Sequence, residues 1–79
     1  METAQIYARL TQVFHDVFQD DSLVLAPDMT ADEVADWDSM SHIRLVISVA
    51  RAFAVKFSAA DIGTLKNVGD LVGLIRAKL

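Results

Sequence analysis

Three stretches of this chain repeat their apolar residues every three or four positions and none alternates them every second position, so helices are the only elements the pattern supports. From Thr3 to Phe18, Ile6, Tyr7, Leu10, Val13, Phe14, Val17 and Phe18 trace one side of a helix, with Thr3 placed as its N-cap. From Ser39 to Val55, steps of about 100° per residue gather Ile43, Val46, Ile47, Ala50, Phe53 and Ala54 into a core face and leave Leu45 away from it, under the first loop or on an exposed surface. Asp38 suits the cap of this second helix, because its carboxylate accepts first-turn amide hydrogens and meets the positive end of the helix dipole. Ser39 is then the first helical residue.

Ser58-Ala59-Ala60-Asp61 has the form of a capping box and opens a short turn ending near Leu65, which Gly63 weakens. Asn67 is placed to cap a last helix over Val68 to Lys78, with Leu71, Val72, Leu74 and Ile75 as its apolar face and Arg76 and Lys78 at its C-terminal end. The expected order is long helix, long loop, helix, short helix, helix.

The loop is the unusual part. Residues 19 to 38 hold seven acids, no base and the chain's only proline, Pro27, and a connection this long in a small domain asks for a function or a fold of its own. Its apolar residues predict that it lies back over the bundle, burying Leu23, Leu25, Val34 and Trp37.

At 79 residues and 53% apolar content the chain has room for one domain with one modest core. There is no apolar run long enough to span a membrane and no basic signal region, so a cytoplasmic protein without a membrane partner is expected. Cysteine is absent, which excludes disulfides, thiolate metal sites and a cysteine nucleophile. The net charge of -4 conceals an asymmetry: residues 1 to 38 hold nine acids against one base, Arg9, and the rest of the chain is net positive. The bases of the later half are spread over several segments of an acidic protein, which argues against nucleic acid and against a small helix-turn-helix DNA binder.

Residues for ordinary catalysis are few. His15 and His42 lack a neighbouring ligand for a metal, and the acids of the loop lack the spacing of a calcium loop, so they read as solvated surface. A hydrolytic triad of Ser39, His42 and Asp38 is crowded into one helix start with no evident oxyanion hole, and a solvated His42 is the simpler expectation. His15 belongs at the edge of the first helix's apolar face.

The stretch Ala35-Asp36-Trp37-Asp38-Ser39-Met40-Ser41-His42-Ile43-Arg44-Leu45-Val46 resembles the Asp-Ser-Leu phosphopantetheine attachment motif of acyl carrier proteins, in the Trp-Asp-Ser-Leu form of carriers in specialised biosynthesis, with Met40 in place of leucine. The resemblance continues through Phe53 to Ser58 and Val68 to Val72, and the helix order agrees with it along almost the whole chain. It implies a non-enzymatic, stand-alone acyl or peptidyl carrier: a four-helix bundle with a long first loop and a short third helix. Ser39 would bear covalent 4'-phosphopantetheine from coenzyme A, and Asp38 would orient Ser39 and contact the transferase. The implied partners are a phosphopantetheinyl transferase, an acyl- or aminoacyl-loading enzyme and downstream biosynthetic enzymes. Met1 and the short C-terminal tail suggest a free-standing protein, and a monomer is expected. The competing expectation is an unmodified helical interaction module with the same fold.

Met40, Arg44, Ile47 and Arg51 fall at about 80° to 140° from Ser39 on the helical wheel, which puts them in one stripe beside the attachment point. In the family this face docks on partner enzymes and commonly carries acids at the positions of Arg44 and Arg51. The chain has no acid from Ser39 through Ala60 and three bases in that interval. Reversed charge implies a poor fit to enzymes of fatty-acid synthesis and a dedicated partner set.

Overall fold

The computed structural model describes residues 2–34 and 37–79. Its elements are α1 (Thr3–Phe18), a 3-10 turn (Ala31–Glu33), α2 (Ser39–Phe53), α3 (Ala59–Gly63) and α4 (Val68–Lys78), with no strand among the described residues. The all-α order matches the expectation from apolar spacing. Ala35 and Asp36 of the motif stretch lie outside the described residues.

The helix ends follow local chemistry. Thr3 is already helical, and the cap of α1 is Glu2, whose N–H donates to Gln5 Oε1 at 2.9 Å. In α2, Asp38 Oδ1 accepts from Ser41 N–H at 2.9 Å, as its position predicts. The helix stops at Phe53, short of Val55, because Ala54 turns left-handed at φ 54° and Val55 N–H closes back on the Ala50 carbonyl at 3.0 Å. Ser58 and Asp61 form the reciprocal box at the start of α3, with Ser58 N–H on Asp61 Oδ2 at 2.9 Å and Asp61 N–H on Ser58 Oγ at 3.1 Å. That helix ends at Gly63, and Lys78 of α4 reaches Asp61 at 3.0 Å. Asn67 Oδ1 caps α4 by accepting from Asp70 N–H at 2.8 Å.

Ile6, Leu10, Val13, Phe14 and Phe18 of α1 meet Leu45, Val49 and Phe53 of α2 and Val68, Leu71, Val72 and Ile75 of α4 in the buried cluster. The wheel of α2 needs correction. Leu45, expected away from the core, is fully buried, whereas Ile43 and Ile47, expected inside, are 57% and 50% exposed. The buried face is Leu45, Val46, Val49 and Phe53, about a quarter turn from the expected one. Between positions 43 and 54 only Arg44, Ser48 and Arg51 are polar, so periodicity alone does not single out one buried side. The choice falls to α1, which packs along both α2 and α4.

The long loop folds back as its apolar residues predict. Val34 is buried, and Leu23, Leu25 and Trp37 pack half-buried against the core. Met29 is buried too, a residue the sequence did not single out. The polar ties are specific: His15 Nε2 lies 2.8 Å from the Leu23 carbonyl, and the first amides of α4 donate to the loop, Val68 N–H to Met29 O at 2.9 Å and Gly69 N–H to Pro27 O at 2.8 Å. Amides at a helix start lack intrahelical partners, so the loop carbonyls satisfy two of α4's orphan donors. Glycine is required at position 69, because a Cβ would stand 2.9 Å from the Pro27 oxygen. Among the described residues no helix is long and apolar enough to cross a membrane.

Candidate functional site at the start of α2

The loop's return path delivers Trp37 and Asp38 to the N-terminus of α2. Trp37 sets its ring edge-on to Phe14, with centroids 5.3 Å apart, and tilts against Phe18 at 6.0 Å, which anchors the chain just before the helix. One residue later Asp38 takes extended dihedrals and caps α2, and the Ser41 amide first of all holds its carboxyl below the ordinary range. A carboxylate at this end also meets the positive end of the helix dipole. Ser39 follows as the first helical residue, exposed, on a backbone fixed by the cap on one side and the helix on the other.

His42 is not the solvated side chain expected. It is half-buried, stacks on Trp37 with 21° between the rings, and takes the Trp37 Nε1–H on its Nδ1 at 3.1 Å. An indole nitrogen only donates, so Nδ1 is the acceptor and the imidazole hydrogen sits on Nε2. This arrangement also removes the triad. Nδ1 of His42 is engaged with Trp37 and the Asp38 carboxylate with Ser41, so Asp38 does not orient an imidazole toward Ser39. The Trp37–His42 bond was legible only as a spacing of five residues across a helix start, which is too general a signal to identify it.

Ser39 opens onto a groove of about 430 Å³. Trp37, Asp38, Ser39, His42, Leu45 and Val46 form the near wall, and Leu65, Lys66, Asn67 and Leu71, from the α3–α4 connection and α4, form the far wall. The far wall could not be read from the sequence, because it depends on where α4 docks. Of the stripe expected beside Ser39, Met40 is 77% exposed, Ile47 is 50% exposed, and Arg44 and Arg51 are exposed. Ile43 joins this outward face. Among the described residues no cluster of three or more metal-ligating side chains occurs.

Neither the scan against protein-family models nor the search of curated proteins finds a match. Among solved structures, the chain is similar to the solution NMR structure of holo acyl carrier protein from Geobacter metallireducens. The similarity has a TM-score of 0.86 at 40% sequence identity, and covers 91% of this chain and 83% of that one. Identity of this degree over nearly the whole of both chains, on a bundle with an exposed serine opening its second helix, shows the relationship: the chain belongs to the acyl carrier protein family.

Proposed function

We propose that the protein carries acyl or aminoacyl intermediates between enzymes of a specialised pathway, such as polyketide or nonribosomal peptide assembly, on a 4'-phosphopantetheine arm attached to Ser39. The observation that carries this reading is the exposed Ser39 hydroxyl at the first position of α2, beside the Asp38 cap, in a protein of the acyl carrier family. The holo state of its structural neighbour supports the same group. When attached, the group supplies the thiol that this cysteine-free chain lacks, and with it thioester chemistry.

The chain's own part is positioning and recognition. In attachment, the Ser39 oxygen forms a bond to phosphorus as the pyrophosphate of coenzyme A breaks; adenosine 3',5'-bisphosphate leaves, and the serine proton passes to the transferase. Asp38 keeps the helix start ordered and remains exposed to contact the transferase. Met40, Arg44, Ile47 and Arg51 form the docking face for the transferase, the loading enzyme and later partners. With no acid from Ser39 to Ala60, that face fits an acidic patch with apolar contacts at its centre. The whole chain acts as a single carrier domain, monomeric and cytoplasmic.

The test is the intact mass before and after incubation with coenzyme A, magnesium and a broad-specificity phosphopantetheinyl transferase. A single phosphopantetheine addition that disappears in Ser39→Ala is the expected result. No addition to folded protein, with the transferase active on another carrier, would favour an unmodified interaction module.

A further inference from the structure

Asp38, Ser39, Met40 and Ser41 lie in the chain between two rings that hold each other. Trp37 donates its indole N–H to Nδ1 of His42 at 3.1 Å, so Ser39 sits inside a closed segment. Two further closures fall within it: Asp38 Oδ1 accepts from Ser41 N–H at 2.9 Å, and the Asp38 carbonyl accepts from His42 N–H at 2.8 Å. Both begin at Asp38 and concern the helix start alone. The bond between the rings reaches one residue further back, to an indole seated on α1, 5.3 Å from Phe14 and 6.0 Å from Phe18 between ring centroids. It therefore ties the first turn of α2 to the core.

This bond depends on charge. An indole nitrogen only donates, so its partner nitrogen must carry no proton. A neutral imidazole meets that condition, whereas an imidazolium donates from both nitrogens. Protonation of His42 sets two N–H groups against each other across 3.1 Å. Stacking offsets little of the loss, because centroids 6.1 Å apart lie at the outer reach of a cation–π contact. The charged groups around the pair are Asp38 from the loop, Lys66 from the α3–α4 connection and Arg44 further along α2. α1 faces it with Phe14 and Phe18, the 3-10 turn with Ala31 and α4 with Leu71, none of which titrates.

We propose that His42 is a positioning residue for phosphopantetheine attachment, one that presents Ser39 to the transferase while neutral and releases it when protonated. The inference rests on the carrier reading of Ser39 and deepens it by naming what presents the serine. With the tie closed, the segment through Ser39 keeps one orientation on the bundle. With it open, the first turn of α2 is released from α1, only a fraction of the molecules keep that orientation, and the apparent affinity falls by that fraction. Once the carrier is docked, the transferase fixes the hydroxyl itself, so KM for the carrier changes and kcat does not. The carrier's side of attachment thus responds to pH in the range where histidines take up charge.

The test has two arms. In the first, without transferase, NMR follows the indole N–H of Trp37, the chain's only tryptophan, and the His42 ring from about pH 8 to about pH 5. The indole signal is expected to move with the same midpoint as the His42 ring and to stay still in His42→Gln, whose amide oxygen accepts throughout. A His42 ring that stays neutral down to about pH 5, or an indole signal that ignores its titration, would overturn the proposal. In the second arm, kcat and KM for the carrier are measured with the broad-specificity transferase at about pH 8 and at a pH where the ring signals show the His42 cation. Wild type and His42→Gln are compared at each pH, which cancels the pH dependence of the transferase and of His15, present in both. The ratio of their KM values is expected to be near unity at the higher pH and about three- to tenfold at the lower, as loss of one ordinary hydrogen bond implies, with kcat unchanged. His42→Ala should show the raised KM at both. A ratio that is the same at both pH values would overturn the proposal, as would a change confined to kcat. No addition to any variant at either pH would sink the attachment reading and the positioning role with it, whereas the first arm decides the bond by itself.

Discussion

Trp37 donates its indole N–H to Nδ1 of His42 at 3.1 Å while the two rings stack at 21°, so the last loop residue before the cap is tied to the first turn of α2. The tie holds the path of the chain through Ser39. His42→Ala leaves a half-buried indole donor unpaired and is expected to lower stability by about 1–2 kcal/mol. His42→Gln, which keeps an acceptor, should recover part of that loss. Trp37 is the only tryptophan, so urea unfolding followed by its fluorescence measures both variants. Unchanged stability in His42→Ala would contradict the bond.

The phase of α2 gives a second test. Leu45 is fully buried between helices, and Leu45→Ala is expected to cost about 2–5 kcal/mol through lost transfer energy and a residual cavity. Ile43→Ala and Ile47→Ala, at half-exposed positions, should each cost less than about 1 kcal/mol. Chemical denaturation of the three variants decides between the packed face and the one that spacing alone suggested.

Acid should weaken the fold from a defined side. Hydrogen bonds from Ser41, Ser22 and Ser58 hold the carboxyls of Asp38, Asp20 and Asp61 below the ordinary range. Their folded values therefore lie below their unfolded ones. The unfolded chain binds more protons between those values, so the stability they contribute is full above about pH 5 and is lost as pH falls through the unfolded value near 4 toward the lowered folded ones. Asp38→Asn keeps a good cap but removes the titrating group, and should flatten the acid limb of a plot of melting midpoint against pH. An unaltered acid limb would show that the cap charge does not contribute.

Arg44 and Arg51 bear on partner choice. Arg44→Glu together with Arg51→Glu should lower kcat/KM for loading by the cognate enzyme about tenfold, mainly through slower association. The wild-type rate should fall as salt is raised. A loading rate that ignores both the substitutions and salt would leave the two arginines as solvated surface.

The helix count, the order and the caps of three of the four α-helices were open to inspection in the residues, whereas α1 is capped by Glu2 and not by the expected Thr3. Asp38, Ser58 with Asp61, and Asn67 act within three residues of their own positions, and such short-range chemistry does not wait for the rest of the fold. Ser39 as the exposed opening residue of α2 was legible for the same reason. Local pattern also indicated that the loop would return to the core, because Leu23, Leu25, Val34 and Trp37 have no other apolar surface to cover.

Tertiary structure decided what depends on a distant neighbour. Which side of the nearly all-apolar α2 is buried was settled by α1, so that Leu45 went in and Ile43 and Ile47 came out. The same docking set α4 against the loop through Val68 and Gly69 and brought Lys66 and Asn67 across from Ser39 and His42. Periodicity records how much of a helix is apolar, whereas burial depends on the competition among faces for shared partners, and that competition exists only once the helices have packed.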